Sequence, residues 1–294
     1  MIKDKDRERL GKIVNGAESL LVFSGAGMSA CTLRPDHELR QGSDKHIPTF
    51  RDKSGFYSEF PFLAGLDLDF TDVASPWAFE EQPNLAAGFY GLRLNMYRDS
   101  TPHEGYDLLR EFGDTLPSDT WCITSNVDGH FQKAGFKNNY EVHGNIYDWR
   151  CTDYTCAKVK GFCDVGRMDV NGLVTKLIKP PTCECGRTLR PNILMFDDMS
   201  YLHSKHNQQS SAYANHLHHL QGDIDSNSIK TMIVEIGAGG AIPTIRLMAH
   251  RASRMLMTPV IRINPEECLD SSLIHIKANA LEGIQALLKL KDRN

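Results

Sequence analysis

The chain has 294 residues, of which 41% are hydrophobic and 24% are charged. These proportions are ordinary for a globular protein and exclude a disordered chain. The formal net charge is −4, from 33 basic and 37 acidic residues, so we expect neither constitutive binding to nucleic acid nor attraction to an anionic membrane.

The N-terminal segment MIKDKDRERLGKI is charged and lacks the apolar core of a signal peptide. No apolar run approaches the roughly 18 residues that a membrane-spanning helix needs. We therefore expect a cytoplasmic protein, whose eight cysteines do not form a disulfide framework.

Four short apolar runs each end in small or polar residues, which is typical of buried strands that lead into turns. The runs cover residues 20–23, 121–124, 232–236 and 260–263, and amphipathic stretches lie around 84–98, 103–113, 241–251 and 279–290. Strands that alternate with helices predict a Rossmann-like α/β fold, in which helices cover both faces of a parallel sheet. Because ligands of such sheets bind beyond the carboxyl ends of the strands, the four polar turns predict one shared site.

The alternation of strands and helices breaks between residues 144 and 195. We assign residues 1–143 and 196–294 to the Rossmann-like domain and residues 144–195 to a small metal-binding module. A second irregular stretch, 33–73, is too long for a simple connection. We interpret that stretch as a functional loop at the edge of the site.

The first predicted strand ends in a tight turn made by Gly25, Ala26 and Gly27, and Ser29 follows. Backbone N–H groups at such a turn can bind a phosphate, and glycine lets a ligand approach the backbone closely. The turn does not match the G-x-G-x-x-G pattern, so a purely structural turn is the alternative.

Turns of the same kind follow the other three predicted strands. After the second strand, Ser125, Asn126 and Asp128 offer a hydroxyl, an amide and a carboxylate. Taken alone, Asn126 or Asp128 would also suit the N-cap of a helix. The third and fourth strands lead into Gly237, Ala238 and Gly239 and into Asn264.

Two close cysteine pairs lie in the irregular stretch, Cys151 with Cys156 and Cys183 with Cys185. Four thiolates in two pairs fit a tetrahedral structural zinc ion. Cys163 is a candidate substitute ligand, and a set of free thiols without metal is the alternative.

His143 lies at the junction of the two predicted units, where ligand clefts commonly form. A histidine can act as a general base near neutral pH. A packing or surface role is the alternative for a single histidine.

The order of these motifs along the chain is more specific than any one of them. After GAG-x-S comes I-P-x-F-R, with Ile47, Pro48, Phe50 and Arg51; then T-x-N-V-D, Ala134-Gly135, His143-Gly144, the cysteine pairs, L-R-P-N-I-x-x-F at 189–196, the turn at 237 and I-N at 263–264. This series resembles the sirtuin family over nearly the whole chain.

In sirtuins, NAD⁺ and an acylated lysine meet in the cleft between a Rossmann-like domain and a zinc-binding module. The resemblance therefore implies NAD as co-substrate, structural Zn²⁺, and an acylated protein or peptide as partner. It implies that Phe50 and Arg51 belong to a loop that closes over the cofactor, that Asn126 and Asp128 bind its nicotinamide end, and that Ser125 also contacts it. Contacts to the pyrophosphate and adenosine are implied for Gly25, Ala26, Gly27, Ser29, Gly237, Ala238, Gly239 and Asn264.

The resemblance also implies the reaction. The acyl oxygen attacks the ribose C1′, nicotinamide leaves, and His143 removes a proton from a ribose hydroxyl, which finally gives free lysine and O-acyl-ADP-ribose. Asn126, Asp128 and His143 form the implied catalytic set. The implied groove for an extended substrate peptide runs along Ile193, Leu194 and Phe196.

Tyr90 and Arg93 resemble the Y-x-x-R signature of sirtuins that remove succinyl or malonyl groups. One helical turn apart, they can face the same pocket, where the guanidinium would pair with the carboxylate of an acidic acyl group. The alternative is an amphipathic helix in which the tyrosine packs and the arginine faces water.

The sequence also departs from the sirtuin pattern. Seventeen residues separate Ser29 from Ile47, Thr49 replaces an aspartate, and His130-Phe131 replaces Leu-His. Phe196-Asp197-Asp198 replaces F-G-E, and Gly237-Ala238-Gly239 replaces G-T-S. These changes indicate a divergent branch, with some likeness to macrodomain-associated sirtuins.

Three other functions fit parts of this pattern. Protein ADP-ribosyl transfer is the first alternative, although the macrodomain-associated sirtuins typically lack the histidine that this chain has at position 143. NAD⁺ hydrolysis of the sirtuin type is the second. A non-catalytic NAD⁺ or ADP-ribose sensor is the third, and it gives no use to a base beside the ribose.

Overall fold

A computed structural model of the chain describes residues 2–34, 46–48, 68, 70–156, 162–169, 179–225, 230–266, 270 and 272–291. Two residues predicted to contact the cofactor, Phe50 and Arg51, lie outside the described residues, as does most of the stretch 33–73.

The described strands form one large and one small sheet. They are β1 (Ser19–Ser24), β2 (Thr120–Thr124), β3 (Asn138–Glu141), β4 (Gly144–Cys151), β5 (Leu189–Ile193), β6 (Thr231–Ile236), β7 (Val260–Ile263) and β8 (Ile274–Ile276). The large sheet has six parallel strands in the order β3-β2-β1-β6-β7-β8. The four predicted strands correspond to β1, β2, β6 and β7.

The described helices connect and cover these strands. They are α1 (Asp4–Gly16), α2 (Ala26–Ser29), α3 (Phe70–Val73), α4 (Pro76–Glu81), α5 (Pro83–Asp99), α6 (Glu104–Asp114), α7 (His130–Lys133), α8 (Ser204–Asp225), α9 (Thr244–Met255) and α10 (Ala280–Leu288). The four predicted helices correspond to α5, α6, α9 and α10. No helix within the described ranges has both the length and the apolar character to cross a membrane.

Both faces of the parallel sheet are covered, which confirms the predicted fold class. Successive side chains of a strand point to opposite faces, and β1 follows this rule with four apolar residues. Leu20 and Val22 pack in a core with α1, α6 and α10. Leu21 and Phe23 pack in a second core with α8 and α9. A continuous apolar run is expected in a parallel strand buried on both faces.

The small sheet pairs β4 and β5 in antiparallel orientation. Its side chains share a third core with helices that the chain inserts between β1 and β2. Trp149 of β4 packs in this core with Phe79 of α4 and with Phe89 and Tyr90 of α5. The limits 144–195 stay a prediction; the packing adds α4 and α5 to the surroundings of that segment.

Helix α8 was not predicted from the sequence. Its apolar residues Tyr213, Leu217 and Leu220 recur at helical spacing and pack against the sheet. Three histidines and several polar residues surround them in the sequence, so the apolar face is narrow and its periodicity is weak.

Candidate functional site

Two adjoining cavities lie where the predicted polar turns leave the parallel sheet. The first cavity, of about 250 Å³, is lined by residues 125–128, by His143 and by residues 193–196. The second cavity, of about 640 Å³, is lined by the turns that follow β1, β6 and β7. Ala26, Ser125 and Ile242 line both cavities. The four turns therefore contribute to one continuous site, as the parallel sheet predicted.

The glycines of two turns allow those turns to approach each other closely. Gly27 N–H donates to the carbonyl of Gly237 at 3.0 Å, and a Cβ on Gly27 would lie only 2.7 Å from the Cα of Gly237. Gly237 has φ +59°, a left-handed conformation that favours glycine. Both residues line the second cavity, and a side chain on either would force the two turns apart.

Asn264 holds the opposite wall of the second cavity. Its Nδ2 donates to the carbonyl of Ala238 at 3.1 Å, and its Oδ1 accepts the N–H of Glu266 at 3.0 Å. The amide therefore joins the turn after β7 to the turn after β6. Gly239 lines the same cavity.

Ser29 is the centre of a hydrogen-bond network in the first cavity. Its Oγ lies 2.6 Å from Asp128 Oδ2, 3.0 Å from Tyr106 Oη and 2.9 Å from Asn126 Nδ2. A serine hydroxyl has one proton, and the carboxylate can only accept it. Tyr106 and Asn126 therefore both donate to Ser29, and the carbonyl oxygen of Asn126 is turned away from Ser29.

His143 is half-buried and lines the first cavity. Its backbone carbonyl accepts the N–H of Leu194 at 2.9 Å, which attaches it to the segment after β5. The next residue, Gly144, has φ +79°, and a Cβ there would lie 2.1 Å from the carbonyl oxygen of Asn192. The glycine is thus required for the close contact between β4 and β5 that sets the position of His143.

The predicted peptide groove borders the same cavity. Ile193 is buried, whereas Leu194 and Phe196 keep 40% and 38% of their surface exposed. Phe196 packs edge to face against Phe70 of α3, and its N–H donates to the carbonyl of Ala74 at 3.2 Å. Partly exposed apolar side chains beside a cavity form a surface that an extended peptide could contact.

Tyr90 and Arg93 both line the first cavity and are both buried. The guanidinium of Arg93 lies 5.2–5.6 Å from the ring centres of Phe89, Tyr90 and Tyr97, and its Nη2 donates to Tyr97 Oη at 3.2 Å. Burial raises the pKa of Tyr90 to about 12. Because Arg93 is buried and lines the cavity, its guanidinium does not face bulk water. This excludes the alternative of an amphipathic helix with a solvent-exposed arginine.

The four predicted cysteine ligands lie together at the end of the small sheet. All four Sγ atoms lie within 4.8 Å of one another, with Cys151 and Cys185 at 3.6 Å and Cys156 and Cys183 at 3.9 Å. A tetrahedral zinc ion with Zn–S bonds of about 2.3 Å requires S···S distances of about 3.8 Å. The thiol donor set and its spacing thus fit zinc. Cys163 is outside this group, with its Sγ directed at the carbonyl of Trp149.

The structure also adds residues to the site that the sequence did not indicate. Tyr106 supports Ser29 from α6, and Tyr97 supports Arg93 from α5. Ile242 was placed in a predicted helix that began at 241, but α9 begins at Thr244, which leaves Ile242 in the wall of both cavities. Tyr97 lies two helical turns after Tyr90, a spacing that could have pointed to it.

Comparisons with known proteins place the chain in a family. The model of the Sir2 family matches residues 42–220. The NAD-dependent protein deacylase of Thermococcus sibiricus is 29% identical over 191 residues, which cover 65% of each chain. The NAD-dependent protein deacylase of Aquifex aeolicus is 30% identical over 181 residues, covering 61% of this chain and 62% of the relative.

A mitochondrial relative shows a similar match. The NAD-dependent protein deacylase sirtuin-5 of Canis lupus familiaris is 28% identical over 207 residues, covering 64% of this chain and 58% of the relative. The matches to these curated relatives thus span less than two thirds of the relatives' own lengths.

Solved structures share the fold. A Sir2 homologue mutant in complex with 2′-O-acetyl-ADP-ribose has a TM-score of 0.68 and 22% identity, covering 96% of this chain and 95% of the other. A Sir2 homologue in complex with NAD has a TM-score of 0.64 and 22% identity, covering 96% and 92%. At this level of identity the likeness concerns the fold.

Proposed function

Since the chain belongs to the Sir2 family, we propose that it is an NAD-dependent protein lysine deacylase. The observation that carries the proposal is the meeting of three features in one cavity: the histidine His143, the pair Asn126 and Asp128, and the arginine Arg93. The similarity to proteins named NAD-dependent protein deacylase supports it.

In this proposal the two cavities divide NAD⁺ between them. The second cavity, with Gly25, Gly27, Asn264 and the turn at 237–239, takes the adenosine and the phosphates. The first cavity takes the nicotinamide ribose. Asp128 is the acidic side chain among the described residues that line it, and a carboxylate attracts the cationic nicotinamide ring.

NAD⁺ is consumed as a substrate: its nicotinamide–ribose bond breaks as the acyl oxygen bonds to C1′. The chain's residues orient the reactants and handle protons. Ser29 fixes the amide of Asn126 so that its carbonyl oxygen is available to the ribose, and His143 accepts the proton of a ribose hydroxyl as general base. The apolar residues around the first cavity exclude water, which would otherwise compete for the reactive centre.

The acyl-lysine enters, in this proposal, along residues 193–196. The backbone of this segment continues β5 and is attached to His143 through Leu194. A peptide that lies along it in extended conformation brings its acyl-lysine to the first cavity. Partly exposed Leu194 and Phe196 supply the apolar contacts.

We also propose that Cys151, Cys156, Cys183 and Cys185 bind a structural zinc ion. Four thiolate ligands complete a tetrahedral site and leave no position for a substrate, so the ion stabilises the small sheet and takes no part in the reaction. Residues 144–195 would then be the zinc-binding module. The cytoplasm remains the expected compartment from the sequence.

Within this activity, we propose a preference for acidic acyl groups such as succinyl. Arg93 is buried at the first cavity among three aromatic rings. A carboxylate that enters such a cavity needs a cationic hydrogen-bond donor to offset its desolvation, and a guanidinium meets this need with two parallel bonds. An acetyl group gains nothing from this cation.

The decisive experiment follows nicotinamide release from NAD⁺ alone and with acetyl-, succinyl- or unmodified-lysine peptides. We expect release to require an acyl peptide and to fall by about 100-fold or more in His143→Ala. His218→Ala removes an exposed histidine outside both cavities and is the matched control. If nicotinamide is released at the same rate with and without an acyl peptide, the activity is NAD⁺ hydrolysis and not deacylation. If label from NAD⁺ is then found on protein, the activity is ADP-ribosyl transfer.

The acyl preference has its own test. Arg93→Met is expected to lower kcat/KM for the succinyl peptide at least about tenfold more than for the acetyl peptide, because only the first contains a carboxylate. Arg98→Met is the control, since Arg98 lies on the same helix but pairs with Asp164. An equal loss with both peptides in Arg93→Met would contradict the preference and leave deacylation intact.

A further inference from the structure

His130 is a buried histidine directly behind the reaction centre. Its side chain is fully buried on α7, two residues after Asp128. It occupies a position where the sirtuin pattern has leucine, so an apolar side chain would satisfy packing alone. The presence of an ionisable ring there requires a separate explanation.

The ring of His130 faces the carboxylate that holds Ser29. Its Nδ1 lies 3.7 Å from Asp128 Oδ2, the oxygen that accepts the Ser29 hydroxyl, and this nitrogen has no hydrogen-bond partner in the described part of the chain. The backbone N–H of His130 donates to Asp128 Oδ1 at 2.9 Å. Both oxygens of Asp128 are therefore in contact with the same residue.

The opposite side of the ring can accommodate either protonation state. Nε2 lies 3.0 Å from Ser100 Oγ, and that hydroxyl also donates to the carbonyl of Tyr97 at 3.1 Å. The Ser100 oxygen can therefore accept a hydrogen bond from a protonated Nε2. An imidazolium would have an acceptor at each nitrogen, Ser100 at Nε2 and Asp128 at Nδ1.

Burial opposes that charge more than any neighbouring group does. Lys133 of the same helix lowers the pKa of His130 through its positive charge. Tyr97 of α5 and Tyr106 of α6 pack edge to face against the ring. The nearby His103, before α6, has a pKa that burial also lowers. Burial, the largest effect, lowers the pKa of His130 below its ordinary value, whereas Asp128 raises it. Since the net effect is a lowered pKa, we expect a ring that is neutral at pH 7 and takes up a proton only at lower pH.

We infer that His130 is a positioning residue that sets the negative charge which Asp128 presents to the first cavity. With a neutral ring, the charge of Asp128 is available to the cationic nicotinamide end of NAD⁺ and to the Ser29 hydroxyl. With a protonated ring, the ion pair withdraws that charge and competes with Ser29 for Oδ2. The inference rests on the proposed function, because it assigns the nicotinamide end to this cavity.

The consequence is a pH dependence of NAD⁺ binding that does not involve the general base. The affinity for NAD⁺ is expected to fall as the pH decreases through the pKa of His130, below about 6.5. By linkage, bound NAD⁺ must in turn lower the pKa of His130. A leucine at this position removes the effect.

The experiment measures the Kd for NAD⁺ without peptide at pH 5.5 and 7.5 in the wild type, His130→Leu and the remote control His216→Leu. We expect the ratio of the two Kd values to be at least about threefold larger in the wild type than in His130→Leu. Equal ratios in the wild type and His130→Leu would overturn the inference and assign the pH dependence to His143 or to another group.

A second measurement needs no variant. The ring nitrogen shifts of His130, followed by NMR between pH 5 and 8, should show a neutral ring at pH 7 whose pKa is lowered further by NAD⁺. A ring that is charged at pH 7, or whose titration is unaffected by bound NAD⁺, would overturn the inference. A protein that binds no NAD⁺ at any pH would instead overturn the proposed function, and this inference with it.

Discussion

Ser29 Oγ lies 2.6 Å from Asp128 Oδ2 and connects the turn after β1 with the turn after β2. The two residues are 99 positions apart in the sequence. Because Ser29 also accepts hydrogen bonds from Tyr106 and Asn126, one hydroxyl fixes the orientation of three side chains. Its removal is therefore expected to affect the orientation of all three side chains and not a single contact.

Ser29→Ala should weaken NAD⁺ binding and turnover together. Loss of the hydroxyl leaves the amide of Asn126 without its fixed partner and a buried carboxylate with one donor fewer, which costs about 1–3 kcal/mol. We expect kcat/KM for NAD⁺ to fall by at least about tenfold. Ser19→Ala is the matched control, since Ser19 is also buried but lies at the first residue of β1, outside both cavities. Equal effects of the two substitutions would contradict the role of Ser29.

Removal of zinc should lower the stability of the protein, because the proposed ion holds the small sheet together and takes no part in the reaction. We expect the purified chain to contain about one equivalent of zinc, and Cys156→Ser to lose it. Cys163→Ser should retain the metal, because Cys163 lies outside the four-cysteine group. Metal analysis and thermal unfolding with and without a chelator check this, since a metal that binds only the folded state raises its stability. Full metal content in Cys156→Ser would contradict the assignment.

Stability should decrease as the pH falls from about 6.5 to 5. Burial lowers the pKa of His103 and of His130, so the unfolded chain takes up protons in a range where the folded protein does not. The stability that these residues contribute is complete above the unfolded pKa of about 6.5 and is lost as the pH approaches their folded pKa values, by at most about 1.4 kcal/mol per pH unit for each.

Urea unfolding at several pH values measures this slope. His103 Nδ1 accepts the N–H of Gly105 at the start of α6, so protonation would also break a helix cap. His103→Asn keeps an acceptor for the cap but cannot titrate. The slope should therefore be smaller in His103→Asn. A slope identical to that of the wild type would show that other groups control the acid sensitivity.

Met257→Gly should stabilise the protein. Met257 has φ +48° and is 86% exposed, so it adopts a left-handed conformation without burying its side chain. Glycine adopts this conformation without steric cost, and the gain should be about 0.5–1 kcal/mol, or roughly 2 °C in Tm. Met199→Gly is the control: Met199 is 98% exposed and has a negative φ, so there glycine should lower the Tm slightly.

The sequence determined the parts of this protein that depend on short stretches of chain. The apolar runs that became β1, β2, β6 and β7 are strands because they are buried on both faces, and the glycine turns follow them directly. The two cysteine pairs likewise predicted that four thiols lie close enough together to bind one metal ion. These features are local, and the order of the motifs in one chain was sufficient to indicate the family.

The tertiary structure alone decided which side chains support the site. Tyr106 and Ser29 are 77 residues apart, and neither position is marked by spacing or composition as the partner of the other. The sequence alone allowed Arg93 to face either a pocket or water. In the structure, α5 packs against the small sheet, and this packing places Arg93 at the cavity. His130 looks like a simple replacement for leucine in the sequence. Its relation to Asp128 exists only because the fold buries the ring beside the carboxylate, where low dielectric strengthens the interaction between them.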